Sequence, residues 1–399
     1  MSMTILIAPS GFKESLAADE ASKCIAAGIR RAIPDATILE APMVDGGEGF
    51  TRALIDLTGG MLHRLCVTGP VGDPVESFLG FLGGQSIRTA VIEMAAAAGL
   101  RLVPRDRRNP CLTTSFGVGE LIRAALDAGA ERILLGCGDS GINDGGAGMA
   151  EALGVRFLDR DDRPLPRGGA ALRDLARIDM SGLDPRLSAV RIDAAVNWHN
   201  VLLGPKGVAR VFGPQKGATP EQVEELAEAM ETYAKVIEQT TGVSVGAAPG
   251  AGASGGLGAG VLGLLSGRLH PRYAVVMQYL DLDALIARAH LVVTAEGSLD
   301  GQTPFGKVPA EVARRAKLRG LPVVALAGTI GKGVALNFDH GIDAFASILK
   351  RPCSLEDAIG NAGKLLTRAA EDAARMIKVG MMLGRGRRPF SVDRAKRAA

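Results

Sequence analysis

Lysines, carboxylates and glycines recur together at four places in this chain, each just after a run of apolar residues. The first is Pro9-Ser10-Gly11-Phe12-Lys13-Glu14-Ser15, where a lysine near a helix start can set its ammonium against a bound anion. The second is Val44-Asp45-Gly46-Gly47-Glu48-Gly49. Its two carboxylates, three apart in a glycine turn, suit a water-bridged Mg²⁺ ion or a proton taken from a substrate hydroxyl. The third, residues 136–146, sets Ser140, Asn143 and Asp144 among small residues, a composition that can cradle phosphate and metal. The fourth runs from Glu296 to Gln302 and is followed by Gly306-Lys307 at a predicted helix start. There is no Walker P-loop, nucleophile elbow or paired Cys/His. Lysines, acids and glycine loops without a nucleophile suit phosphoryl transfer, in which the protein mainly positions reactants and neutralises charge.

Short apolar runs and amphipathic helices must position these turns. Strands are expected at 4–10, 37–44, 132–138, 290–297 and 321–328, alternating with helices over 15–32, up to about 57, 145–153 and 307–319. Apolar strands alternating with helices predict a parallel sheet covered on both faces. Residues 62–93 instead read as β runs separated only by turns, an antiparallel patch. A long helix is expected from Pro220 to about Thr240. The tract 246–267, with nine glycines and one proline, has the composition of a loop rather than of a lipid-facing helix. The expected class is α/β: a Rossmann-like parallel-sheet domain built from both chain ends (1–70 plus 288–379), an inserted second α/β domain with glycine-rich loops (71–287), and a basic flexible tail (380–399).

Composition narrows the function. Glycine supplies 53 of 399 residues, roughly twice its usual share, and aromatics only 4%. Few aromatics argue against nucleic-acid binding by base stacking. Five scattered cysteines without a C-x-x-C pair read as reduced thiols, and five histidines never fall at metal-ligand spacing. The opening residues lack a secretory signal, so the expected setting is cytoplasmic, with no membrane partner. Positive charge is concentrated in the last twenty residues and leaves the body slightly acidic. Gly136, Gly138 and Gly141 spell G-x-G-x-x-G after a strand, with Asp159 downstream. That admits an NAD-dependent dehydrogenase of a small hydroxy acid as an alternative. The pattern recurs at Gly250-Gly252-Gly255 and Gly258-Gly260-Gly263, so at this glycine content the match is weak.

Taken in order, the four turns resemble the bacterial type-I glycerate kinases. The resemblance runs from Thr4 to about Lys378. It is carried by APSGFKESL (8–16), VDGGEG (44–49), RNPCLTTSFGVGELIRAAL (108–126), GINDGGAGMAEALGVRF (141–157), VFGPQKGATPE (211–221), GAGASGGLGAG (250–260) and EGSLDGQTPFGKVP (296–309). It implies phosphorylation of D-glycerate by ATP with Mg²⁺, mostly to 2-phosphoglycerate. On that reading Lys13 neutralises the transferring phosphate, and Asp45 or Asp300 takes the hydroxyl proton. Asp45 and Asp144 are the magnesium carboxylates. Gly138, Ser140, Asn143, Gly145, Gly146 and Lys307 bind nucleotide phosphate, and Arg108, Thr113 and Thr114 bind the substrate carboxylate. A homodimer is left open.

The match has departures. Ser10 stands where the family usually has aspartate, Asp139 where it has glycine, and Ile142 where it has threonine. The family's C-D-V-x-N-P-L-x-G-P appears as residues 196–205 with Asn197 for the aspartate and Trp198 beside His199. Asparagine cannot ionise, and Trp198 is expected to pack. These changes keep open a non-catalytic ligand sensor on a kinase frame.

Overall fold

The computed structural model describes residues 3–12, 15–43, 46–276, 278–304 and 306–384. Lys13, Asp45 and the tail from residue 385 lie outside the described residues. In chain order the strands are β1 (Thr4–Ile7), β2 (Thr37–Glu40), β3 (Met61–Thr68), β4 (Pro74–Phe81), β5 (Thr89–Glu93) and β6 (Arg132–Gly136). They continue with β7 (Arg156–Leu158), β8 (Arg177–Asp179), β9 (Arg191–Val196), β10 (Arg268–Pro271), β11 (Leu291–Leu299), β12 (Val323–Ile330) and β13 (Ala344–Ser347). The chain divides into two compact units, Met1–Met43 with Leu282–Ala399, and Val44–Asp281. The boundary expected near residue 70 falls earlier because β3 pairs along its whole length with β4, which fixes it to the second unit.

In the first unit five strands form an all-parallel sheet in the order β13-β12-β11-β1-β2. β1 is the apolar run Thr-Ile-Leu-Ile, with Ile5 to Ile7 fully buried between β11 and β2. Its neighbours lead away on opposite sides, β2 next in sequence and β11 far downstream. Such a switch point is where open α/β sheets leave free strand ends for ligands. The helix Ala18–Ala32 buries Ala21, Ile25 and Ile29 at helical spacing, and the Glu20 carboxylate accepts the Ala17 N–H at its start. It packs on the helix Ala362–Gly384.

The second unit has a six-stranded sheet in the order β10-β9-β6-β5-β4-β3. β3, β4 and β5 are antiparallel, as their turn-linked sequence predicts, and β5, β6, β9 and β10 are parallel. β7 and β8 form a separate hairpin-like pair. The helix Pro220–Thr241 starts where sequence predicts it: Thr219 caps it, Pro220 sits in its first turn and Gly242, in left-handed conformation, ends it.

The glycine tract departs from its expected loop. Residues Ala253–Gly263 are helical, entered through the left-handed residues Ser254, Gly255 and Gly256. Missing side chains explain why. A Cβ at Gly256 would stand 2.8 Å from the Gly145 Cα, and one at Gly260 would stand 2.9 Å from the Gly145 carbonyl oxygen. These glycines let two backbones touch. Among the described residues, no helix is long and apolar enough to cross a membrane.

At the end of β5 the buried Glu93 carboxylate accepts the Thr51 N–H at 2.9 Å and the Gly49 N–H, holding the start of the helix Phe50–Thr58. Burial pushes this carboxyl up to about 7, against the lowering effect of those N–H groups. Between the ordinary carboxylate range and pH 7 the folded state therefore holds more protons than the unfolded state, and stability falls as pH rises. The Glu93→Gln variant is expected to lack that slope. Denaturant unfolding at pH 5 and pH 8 should show wild type losing about 3 kcal/mol more than the variant, and equal losses would disprove the assignment.

Candidate functional site

In the second unit two of the four turns meet at the carboxyl end of β6. A Cβ at Gly136 would come within 2.6 Å of the Gly46 carbonyl oxygen, and one at Gly138 within 2.6 Å of the Gly47 Cα. Asp139, with φ at +50°, accepts the Glu48 N–H at 3.0 Å, so it ties the turn 46–49 to the loop after β6. Gly141 is hemmed by Val103, 2.7 Å from its would-be Cβ. The three glycines of G-x-G-x-x-G are thus consumed by protein packing, not by a pyrophosphate. Asp159 lies next to β7, outside the six-stranded sheet, with its carboxylate held by Arg163 and the Asp161 and Arg163 N–H groups. The dehydrogenase alternative loses both of its supports.

Asp144 is the anchor of this loop rather than an open metal ligand. It is 1% exposed. One carboxylate oxygen accepts the Ser115 N–H at 2.7 Å, the Ser115 hydroxyl at 2.8 Å and the Gly148 N–H at 3.2 Å; the other accepts the Gly146 N–H at 3.1 Å. The Ser115 hydroxyl oxygen in turn accepts the Met149 N–H. One carboxylate therefore fastens the starts of two helices, Phe116–Asp127 and Ala147–Ala152. Burial raises its pKa, and these hydrogen bonds pull it back down. Three of these bonds fall on one oxygen and one on the other, so the carboxylate is committed mainly to the scaffold. No group of three His, Cys, Asp or Glu among the described residues could hold a metal.

Two members of the expected phosphate cradle, Gly145 and Gly146, have their amides engaged within the protein. The Gly145 N–H donates to the Gly255 carbonyl at 3.0 Å and the Gly146 N–H to Asp144, so neither amide is available to an anion. The Thr113 hydroxyl donates to the Gly141 carbonyl at 3.0 Å, and the Thr114 hydroxyl oxygen accepts the Phe116 N–H at 3.2 Å. Both threonines are buried and support the loop and the helix start.

Lys216, which the sequence reading did not single out, reaches into this region. It is 2% exposed, and its ammonium donates to the Ser140 Oγ at 2.9 Å and the Ile142 carbonyl oxygen at 2.6 Å. Burial pushes this ammonium down to about 7, while the Asp144 charge pulls it up. Beside these charges are polar atoms with no hydrogen-bond partner among the described residues: Asn143 Oδ1 and Nδ2, Arg108 Nε and Ser254 Oγ. Asn143 is completely buried. A buried unpaired polar group typically costs about 1–3 kcal/mol. Ser254 adds backbone strain of about 1–2 kcal/mol, because it is not glycine and its φ is +51°. Local strain and orphaned polar atoms mark functional sites. Asn197 accepts the His199 N–H at 3.3 Å, Ile142 is core, and Trp198 is 40% exposed instead of packed.

The first unit gathers the other acid–lysine turn. β11 extends to Leu299, so Glu296 to Leu299 are strand where the sequence suggested a turn. Lys307, at the start of the helix Val308–Lys317, donates to the Ser298 carbonyl at 3.1 Å and lies 3.3 Å from Asp300 and 3.4 Å from Glu296. Asp300 also accepts the Gln302 N–H at 2.8 Å. At the neighbouring strand end Ser10 donates both its N–H and its hydroxyl to the Ala295 carbonyl.

Residues 5–378 match the model of the glycerate kinase family. The chain belongs to that family. It is 47% identical to a glycerate kinase of Halalkalibacterium halodurans over 93% of this chain and 97% of the relative, and 46% identical to one of Bacillus subtilis over 94% and 98%. A glycerate 2-kinase of Escherichia coli is 43% identical over 95% and 99%. A crystal structure from Salmonella typhimurium LT2, provisionally assigned as glycerate kinase 2, superposes with a TM-score of 0.78 at 45% identity, covering 96% of this chain and 100% of its own. Family membership thus rests on whole-length similarity as well as on the turns.

If Asp144 holds two helix starts, Asp144→Asn removes a buried carboxylate's hydrogen bonds and is expected to cost about 3 kcal/mol or more of stability. Chemical denaturation measures this without substrate or metal. An unchanged unfolding midpoint would return Asp144 to a ligand-binding role.

Proposed function

We propose that this protein transfers the terminal phosphoryl group of ATP to D-glycerate, giving 2-phosphoglycerate and ADP. The observation that carries the reading is whole-length identity of 43–47% to curated glycerate kinases of three bacteria, one of them named glycerate 2-kinase. In the transfer, a bond forms between a glycerate hydroxyl oxygen and the γ-phosphorus. The bond from that phosphorus to the β,γ-bridging oxygen breaks, and ADP keeps its electron pair. The hydroxyl proton goes to a carboxylate, Asp45 or Asp300. Lys13 neutralises charge on the moving group. Lys307 is already compensated by Glu296 and Asp300, which suits a lysine that orients those carboxylates as well as a phosphate ligand. Arg108, whose Nε has no partner among the described residues, suits the substrate carboxylate. Magnesium, when bound with ATP, would neutralise charge on the phosphate oxygens.

A coupled assay for ADP release over D-glycerate, tartronate and hydroxypyruvate, with phosphorus NMR of the product, tests the reading. Rapid ADP release with D-glycerate and a 2-phospho product are expected. Ligand binding without ADP release would instead make the protein a sensor. Lys13→Ala is expected to lower kcat about a hundredfold, since removing one charge-stabilising group from a closed site has that effect. Near-normal turnover would remove Lys13 from the mechanism.

A further inference from the structure

The loop after β6 carries polar atoms that the chain itself does not satisfy, and they differ from what a phosphate needs. Asn143 is completely buried, and neither its Oδ1 nor its Nδ2 has a hydrogen-bond partner among the described residues. A phosphoryl group at neutral pH offers only acceptors, so it would leave Oδ1 unpaired. A neutral hydroxyl offers both a donor and acceptor lone pairs, and satisfies both ends of an amide. Ser254 stands across the same backbone contact. Its neighbour Gly255 accepts the Gly145 N–H through its carbonyl, and the space beyond the Gly255 Cα is bounded by the Asn143 Cα at 2.9 Å. The Ser254 hydroxyl is buried without a partner, and its backbone is left-handed, a conformation that glycine would adopt without strain. A serine there is disfavoured twice in the protein alone, by its backbone and by its unsatisfied oxygen. Lys216 secures the loop by its bond to the Ile142 carbonyl, one residue before Asn143. Arg108 adds a partnerless guanidinium nitrogen, and its carbonyl abuts Gly217 beside that lysine.

We propose that Asn143 and Ser254 recognise the hydroxyl of the acceptor acid that is not phosphorylated, and so set the specificity of the reaction for a dihydroxy acid over a monohydroxy acid. The inference rests on the proposed phosphorylation of D-glycerate and refines it. It moves Asn143 from the nucleotide phosphate to the acceptor. Discrimination of this kind is strong because a buried group built to bond a hydroxyl stays unpaired when the analogue lacks one.

Two variants test it, and physical chemistry expects both to fold. Ser254→Gly relieves the left-handed strain, and Asn143→Leu puts an apolar group of similar shape where polar atoms lack partners. Each is expected to unfold at a temperature no lower than wild type. Each should also lower the ratio of kcat/KM for D-glycerate to that for D-lactate by tenfold or more, with the KM for ATP within twofold. The increase in melting temperature on adding D-glycerate should shrink in step. A fall in stability of Asn143→Leu would mean that those atoms are satisfied structurally and would overturn the inference. So would a rise confined to the KM for ATP, which would place the amide on the nucleotide. An enzyme that turns D-glycerate over with the same ratio in wild type and both variants overturns this inference alone. A protein that neither binds nor phosphorylates D-glycerate overturns the proposed function as well.

Discussion

A carboxylate removed from water must be given back the hydrogen bonds it loses, and the second unit is organised around that demand. Asp144 receives four donors from three residues, Ser115, Gly146 and Gly148, that open two different helices. Burying an ion is tolerable only when such donors are complete. Their completeness fixes the loop 138–148 relative to both helices. Lys216 brings a second buried ionisable group against the same loop, bonded to Ser140 and the Ile142 carbonyl. Between these two fixed points sits Asn143, whose amide the chain leaves open. The loop is stiffened by the residues that are satisfied and holds a buried amide that is not.

Glycine serves this arrangement mainly by its lack of a side chain. Gly136 and Gly138 admit the turn at 46–47, while Gly256 and Gly260 admit the backbone at Gly145. Loop, turn and helix thereby approach at backbone distance, closer than any other residue allows. The same packing engages the Gly145 and Gly146 amides with the Gly255 carbonyl and Asp144. Beside these engaged amides stand side chains whose polar atoms have no partner among the described residues, Asn143 and Ser254. That suits a small polar acceptor, whose hydroxyls and carboxylate are distinguished by directional bonds.

Much of the fold was legible because apolar runs and caps act locally. β1, β6 and β12, the antiparallel run from β3 to β5, and the helix Pro220–Thr241 follow from alternation, burial and terminal residues. The glycine tract was not legible. Its helix 253–263 is stabilised by a tertiary contact with Gly145 and Gly146 that composition does not encode, and local propensity points the other way. The site was legible as a set of turns but not as a set of roles. Spacing located Asn143, Asp144, Thr113 and Thr114, yet only their partners show that Asp144 and the threonines are supports. Lys216 lay in the motif VFGPQKGATPE without a signal of burial, and Ser254 in GAGASGGLGAG without a signal of its left-handed backbone. Hydrogen-bond completeness is a three-dimensional property, and it separates a scaffold carboxylate from a reactive one.

Native-state hydrogen exchange of the second unit's loop amides tests this organisation most directly. If Asp144 and the Gly255 carbonyl hold them, the N–H groups of Ser115, Gly145, Gly146 and Gly148 should exchange as slowly as the core amides of Ile133 to Leu135, without any ligand present. Exchange of those four amides at the rate of an exposed turn would contradict the account. The buried carboxylate would then not be the element that orders the site.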